Sequence, residues 1–426
     1  MTVSATKAQV ILVLNMFTDN LTSQLGFIQH AYDLGMTLAG VELGNEFYVN
    51  RPDFIAKFAD GTQYGETCTT WIKAIQKQFP ALPIAVVGSP AKKASKPRTV
   101  NWNKSLFAAV QGLRPGIDGV TIHQYDASGA HYTAGGGLTK QDVTAMLQTP
   151  FEVQAELKAK IATEVPKDIS VWITEYNLKY NIDIPDIPAF GTWAHSMYIA
   201  VESTLFLQVP EIAAGRACKH SLFSKAQNGA LFQDEKSFNF KMSPDPSLPT
   251  KAYALSGPGL VLSLLGNSTF GMNSATALSF SSVGGTSLGD TSCATFLASH
   301  CKGKQGEACL HCLHLNRAEL PASCHPGQAR KQCISPPAPP TSPTSVIGVA
   351  FEGSNEGPKA FVVNLSDRSI EVDLPQGKYS RFLQHHLEDA TKAINDAKSQ
   401  VTATAGATDA SGKATLAPYS VTNFFE

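Results

Sequence analysis

Short apolar runs alternate with segments of helical length from the start of the chain to about residue 255. VILVLN, AGVEL, LPIAVVG, GVTIHQY, SVWITEY and ACKHSLF read as buried strands. Between them, the stretches 24–34, 65–79, 102–112, 151–163 and 191–205 carry the spacing of helices, and TKAYALSGPGLVLSLL gives a closing one. Strand followed by helix, repeated, is the pattern of βα units around a parallel sheet. Six such strands are two short of a (β/α)8 barrel, so the expected fold is α/β, a (β/α)8-type barrel of about six strands.

The pattern changes near residue 266. ATALSFSSV, SVIGVAFEG, KAFVVNLS, IEVDLP and YSVTNFF are short and alternating, with Gly, Asn and Asp between them, as in an antiparallel β-sandwich. The expected division is therefore a barrel over 1–265 and a sandwich over 266–426. An excursion at about 285–345 interrupts the sandwich. It is rich in Cys, His, Pro and Ser, ends in PPAPPTSPTS and has no periodicity, so it reads as a disordered insert or as translated non-coding sequence. Within it Cys309, His311, Cys312 and His314 resemble half of a zinc site, but no second half follows at a regular spacing, and no metal site is expected.

Bulk composition narrows the function classes only a little. The 426 residues are 43% hydrophobic and 16% charged, enough for a barrel and a second core. A net charge of −1 argues against a chain that binds nucleic acid through its overall charge. No apolar run reaches the ~18 residues of a membrane span. The opening MTVSATKAQVILVLNMFTDN lacks the layout of a signal peptide, and its apolar stretch at 10–14 reads as a core strand. Four N-x-S/T sequons, at Asn20, Asn103, Asn267 and Asn364, suit a secreted protein.

The candidate chemistry lies in two carboxylates. Glu46 closes AGVELGNE and Glu175 closes SVWITE, each just past a run that reads as a buried strand. In a parallel barrel the C-terminal ends of separate strands converge on one face, where the chemistry sits. Two carboxylates flanking one glycosidic bond are what glycoside cleavage requires, with neither a cofactor nor a metal. Glu46 then acts as acid/base, its carboxyl expected to be raised by partial burial and a neighbouring carboxylate, and Glu175 stays ionised as nucleophile. The alternative for either is a surface glutamate after a strand. Gly44 allows a close backbone approach, and Asn45 is placed to bond a sugar hydroxyl beside the bond being broken. His123 and Tyr125 alternate on GVTIHQYD and so share one side of the strand, either as ligands of sugar hydroxyls and the nucleophile or as bonded core residues. Lys92, Lys93, Lys96 and Arg98, in PAKKASKPRT after the third strand, form a basic loop on the same face, suited to an acidic polysaccharide or simply solvated.

In their order, LGFIQHAYDLGMTLAGVELGNEFY, PAKKASKPRT, IDGVTIHQYDASG, VWITEYN, CKHSLFS and LAPYSVTNFFE resemble heparanase and its relatives, and the likeness spans most of the chain outside the insert. The resemblance implies a retaining endo- or exo-β-glucuronidase built as a (β/α)8 barrel plus β-sandwich, with Glu46 as acid/base and Glu175 as nucleophile. It places Asn45, His123 and Tyr125 in the substrate cleft, makes a glycan the partner, and implies a secreted or lysosomal/vacuolar full-length protein. Where the family has a glycine-rich stretch for the uronate carboxylate, this chain reads LKYNIDIPDIPAFGTW, with Asp183 and Asp186. A neutral β-glycoside therefore stands as an alternative. VILVLN matches the family's third strand, so the resemblance also implies a barrel lacking its first two strands, and with that a non-catalytic sugar-binding relative as a further alternative.

Overall fold

A computed structural model describes residues 9–90, 96–113, 116–126, 137–179, 189–224, 229–232, 253–280, 344–353, 357–394 and 396–426. Lys92, Lys93, Asp183, Asp186, and all but the last two residues of the 285–345 excursion, its Cys/His cluster included, lie outside these. The chain divides into two compact units, Met1–Ser263 with Thr391–Gln400, and Leu264–Ala390 with Val401–Glu426.

The first unit is built on one sheet of six strands. β1 (Val10–Val13), β2 (Leu38–Glu42), β3 (Ile84–Val87), β4 (Gly119–Asp126), β5 (Ser170–Leu178) and β6 (Ile212–Lys219) are the six runs read from the sequence. They stand side by side in chain order, and each pairing is parallel. β1 and β6 are the two ends of the sheet among the described residues, and a short parallel pair, β7 (Phe223–Ser224) and β8 (Leu231–Phe232), follows β6.

The helices between them start where the chain supplies caps. Asn20 accepts from the Ser23 amide ahead of α1 (Leu21–Asp33). α2 (Pro52–Lys57) is short and opens on a proline, and α3 (Gly61–Gln78) is capped by Asp60 through the Thr62 and Gln63 amides. α4 spans Pro97–Ala109 and α6 spans Trp193–Phe206. α5 runs over Lys140–Glu164, starting well before the 151–163 read from the sequence. A reciprocal Thr139–Asp142 capping box sets that start, and Pro150 sits inside the helix without ending it.

The sheet curls, because side chains meet across it between strands that are not neighbours. The Arg216 guanidinium of β6 donates to the Ala39 carbonyl of β2 at 2.9 Å and lies 4.0 Å over the Trp172 ring of β5. Trp172 is fully buried, its indole N–H bonded to the Ser170 hydroxyl at 2.9 Å. Its ring occupies the space that a Cβ would need at Gly40 of β2 and at Gly119 of β4. Trp172 and Arg216 thus form a floor near the strands' N-terminal ends, and the opposite ends are left to carry a site.

In the second unit six strands form an antiparallel sheet. Its strands are β9 (Ser274–Ala277), β10 (Val346–Glu352), β11 (Lys359–Asn364), β13 (Arg381–His386), β14 (Thr402–Ala407) and β16 (Ser420–Phe425). The pair β12 (Ile370–Asp373) and β15 (Lys413–Leu416) covers one face. Val362, Ala360 and Phe424 of the sheet form a core with Val372, Ala414 and Leu416 of that pair. This is the expected sandwich, with β13, β14 and β15 added to the strands read from the sequence. TATAGA in β14 is too small and exposed to show the alternation of a half-buried strand.

Two sequons are structural. Asn103 and Asn364 are fully buried, the first bonded to Ser89 and Glu164, the second to the Arg368 and Ala417 carbonyls. Neither side chain is open to a glycan in the folded chain. Among the described residues no helix is long and apolar enough to cross a membrane.

The floor gives a direct test. Gly119→Ala should destabilise the first unit by about 1–3 kcal/mol through overlap with Trp172, seen as a lower melting temperature. Gly26→Ala, on α1 with open space around it, should leave the melting temperature unchanged or raise it.

Candidate active site

Beyond the floor, the C-terminal ends of β2, β4 and β5 bring together three carboxylates, an imidazole and two phenols. Glu42 ends β2 and is fully buried. Its Oε1 accepts from the Thr121 hydroxyl of β4 at 2.6 Å and lies 3.5 Å from His123 Nε2. Its Oε2 has no hydrogen-bond partner among the described residues.

After β2 the chain turns sharply. Gly44 has φ +98°, and a Cβ there would run into the Phe47 ring. Glu46 itself adopts the left-handed conformation, φ +51°, which costs a non-glycine residue roughly 1 kcal/mol or more. Something must hold it, and Arg98 does much of that. Its five N–H groups bond the carbonyls of Phe47, Tyr48, Val49, Phe58 and Ala59, at 2.7–3.1 Å, while the guanidinium lies 4.9 Å over Trp102. Beneath the turn, Phe47, Phe54, Phe58 and Tyr64 pack edge to face. The side chain read as part of a polysaccharide-attracting loop is therefore engaged in fixing backbone; Lys96 is exposed ahead of α4.

β4 supplies Thr121, His123 and Tyr125 on one face, the alternation expected of a strand. His123 pairs with Glu175 across β4 and β5 after an irregularity in register between Thr121 and His123. Tyr125 donates its hydroxyl to Glu175 Oε2 at 2.5 Å, and Tyr48 donates to Glu46 Oε1 at 3.0 Å. His123 Nδ1 lies 3.0 Å from Glu46 Oε1 and 3.6 Å from Glu175 Oε2. His123 is nearly buried at 3% exposure, whereas Glu46 and Glu175 keep 31% and 25% and face solvent. One oxygen of Glu46 and one of Glu175 lie within 4.8 Å of each other and of a His123 nitrogen.

The other sequence-read residues divide cleanly. Asn45 is exposed beside Glu46. Tyr176 points away and bonds Ser203 of α6 at 2.7 Å, and Asn177 bonds His195 and the His220 carbonyl. Gln124 bonds Asp126, which also receives the Tyr198 hydroxyl of α6, on the far side of the sheet. Glu42, Tyr48 and Thr121 were not singled out from the sequence. Glu42 carried a signal all the same: a carboxylate inside the apolar run AGVEL, on a strand too buried to leave it unpartnered.

Electrostatics follow from this arrangement. Burial disfavours a charge on His123, but the Glu42 and Glu46 hydrogen bonds and the Glu42 and Glu175 charges outweigh it and push its pKa up to about 10. Burial likewise pushes Glu46 up, yet the His123 hydrogen bond and charge, with the Tyr48 hydroxyl, hold its carboxyl below the usual range. The raised acid expected from the sequence is thus corrected: the resting proton belongs to His123. Tyr125 and Tyr48 are pushed up by burial and by the adjacent carboxylates, so they remain donors. An imidazolium has no lone pair for a metal, and both phenols already donate to the carboxylates, so this cluster suits a proton better than an ion.

No family model and no curated protein matches this chain. Solved structures do. A GH51 α-L-arabinofuranosidase from Thermotoga petrophila aligns over 99% of this chain and 76% of its own, at TM-score 0.58 and 12% identity. A family 51 α-L-arabinofuranosidase from Bifidobacterium longum gives 100%, 77%, 0.59 and 12%. A 4-O-α-L-rhamnosyl-β-D-glucuronidase from Fusarium oxysporum gives 98%, 77%, 0.57 and 11%. The likeness establishes the fold: a parallel half-barrel of (β/α)8 type followed by an antiparallel sandwich.

Two outcomes follow. Arg98→Met should cost about 2–4 kcal/mol by leaving several carbonyls without donors, read by urea unfolding, and Arg98→Lys should recover little of it because an ammonium lacks the planar fork. Stability should also fall at alkaline pH. The raised His123 contributes fully below its unfolded value near 6.5, and that contribution is lost as pH rises toward about 10. Between pH 6.5 and 8.5 the loss should be about 2–3 kcal/mol. His123→Gln should be less stable at pH 6.5 and nearly flat across the interval.

Proposed function

We propose that this chain is a retaining glycoside hydrolase in which Glu175 is the nucleophile and Glu46 the acid/base. The observation that carries the proposal is the pair's separation: carboxylate oxygens within 4.8 Å, at the ends of two strands of one half-barrel, with separate donors for each. Retaining enzymes hold their carboxyl groups ~5–5.5 Å apart, and inverting ones much farther. Tyr125 donates to Oε2 of Glu175 and leaves Oε1 for the anomeric carbon. Attack by Glu175 forms a glycosyl ester as the protonated form of Glu46, populated at acidic pH, gives its proton to the departing oxygen. Glu46 then takes a proton from the water that hydrolyses the ester.

The substrate proposed is a β-linked glycan, a uronic-acid-containing one first, as the heparanase-type segments and the neighbouring glucuronidase suggest. A neutral glycoside is the second reading. It is favoured by the arabinofuranosidase neighbours and by His123, the cation at the cleft, being already shared among three carboxylates. The lowered Glu46 fits an acidic working pH, in keeping with a lysosomal, vacuolar or extracellular setting.

Aryl β-glucuronide, β-glucoside and α-L-arabinofuranoside assayed side by side should single out one sugar, and a 2-deoxy-2-fluoro analogue of that sugar should label Glu175. Glu175→Gln should lower turnover about 10⁴-fold or more while leaving glycan binding nearly intact. Glu46→Ala should impair poor leaving groups by about 10²–10⁴-fold and good ones far less. Equal losses for both would remove Glu46 as the acid, and labelling of another residue would remove Glu175.

A further inference from the structure

Both ring nitrogens of His123 face carboxylate oxygens: Nε2 toward Glu42 at 3.5 Å, Nδ1 toward Glu46 at 3.0 Å. A carboxylate only accepts, so satisfying both directions requires N–H on each nitrogen. Glu42 is the member of this set farthest from solvent, at 1% side-chain exposure, and it is anchored by Thr121 at 2.6 Å. Its second oxygen finds no donor among the described residues, so the charge on Glu42 is balanced chiefly by His123. A buried carboxylate in that state is costly unless it does something for the site in front of it.

We propose that Glu42 is a positioning residue, which by orienting His123 as a two-sided donor directs an N–H at Glu46 and so governs when Glu46 can carry the acid proton. The proposal rests on the assignment of Glu46 as acid/base and adds a residue that never touches substrate. The proton stays on His123 at rest and bridges Nδ1 and the Glu46 carboxylate. Without the Glu42 charge behind it the ring has less reason to hold two protons, and Glu46 loses its cationic neighbour. The other titratable groups around the ring are Glu46 and Tyr48 on the turn after β2, Tyr125 on β4 and Glu175 on β5. Cys218 and His220 at the end of β6 lie near Glu42 and Glu46, respectively. Of these, Glu42 alone faces Nε2.

The test is a pH titration of the His123 ring resonances by NMR on the full chain, assigned with His123→Gln. Wild type should remain charged through pH 8. In Glu42→Gln, nearly isosteric and still able to accept from Thr121, the midpoint should fall by about one to three units, the effect of removing one adjacent charge. Glu42→Asp, which keeps the charge one methylene farther back, should shift less, and it serves the same comparison should the Gln variant not fold. An unshifted midpoint in the folded variant overturns the proposal. Where turnover is measurable, the pH profile of kcat should move in Glu42→Gln with KM little changed, which a merely structural role would not produce. The titration needs no substrate: a chain inactive on every glycoside would sink the glycosidase reading yet leave the Glu42 result standing, whereas an active enzyme with an unshifted His123 would sink Glu42 alone.

Discussion

Three carboxylates gather in one half-buried pocket only if a positive charge sits among them. His123 is that charge, within 3.6 Å of Glu42, Glu46 and Glu175. Without it, mutual repulsion would protonate at least one acid, as it does where two carboxylates share a site. The surrounding scaffold can be read as the means of keeping this imidazolium dry and aimed. β4 places it between β2 and β5, Thr121 fixes the carboxylate behind it, and the two phenols, Tyr48 and Tyr125, donate to the carboxylates in front.

Much of this was legible in the sequence, for an identifiable reason. Glu46 and Glu175 declared themselves through the contrast between an apolar run and the charge that follows it, although β5 runs on through Glu175 to Leu178 and Glu46 lies on the turn four residues past β2. His123 and Tyr125 followed from period-two alternation alone. Other features were opaque because they depend on pairs distant in sequence. Glu42 matters through Thr121 and His123, two strands away, and Arg98 through carbonyls about 40–50 positions earlier in the chain. A basic cluster in a loop reads the same whether its guanidinium meets solvent, ligand or backbone. The longer α5 was hidden by Pro150, which normally marks a boundary and here does not.

The turn that carries Glu46 shows how strain and support are matched. A left-handed glutamate persists only where its surroundings over-determine it. Gly44 admits Phe47 beneath the backbone, the aromatic cluster holds Phe47, and Arg98 ties the following carbonyls down. Each of these contacts acts on main chain or on apolar rings, while among the described residues the Glu46 carboxylate itself meets His123 and Tyr48. Position is thereby settled by one set of residues and protonation by another. That separation also explains how Arg98, in the first turn of α4, supports the site without entering the cleft.

The depressed carboxyl of Glu46 looks at first like the wrong setting for an acid. On the proposed mechanism, though, the same group must give a proton in one step and take one in the next. While Glu175 is ionised, His123 is shared between it and Glu46, and a second negative charge nearby favours a proton on Glu46. Once Glu175 becomes a glycosyl ester its charge is gone, and the imidazolium is left to Glu46 and Glu42. Both changes push Glu46 further down, toward the ionised form that a base requires. On that mechanism the nucleophile's own chemistry would reset the acid, and a charged histidine placed between the two carboxylates would transmit the change.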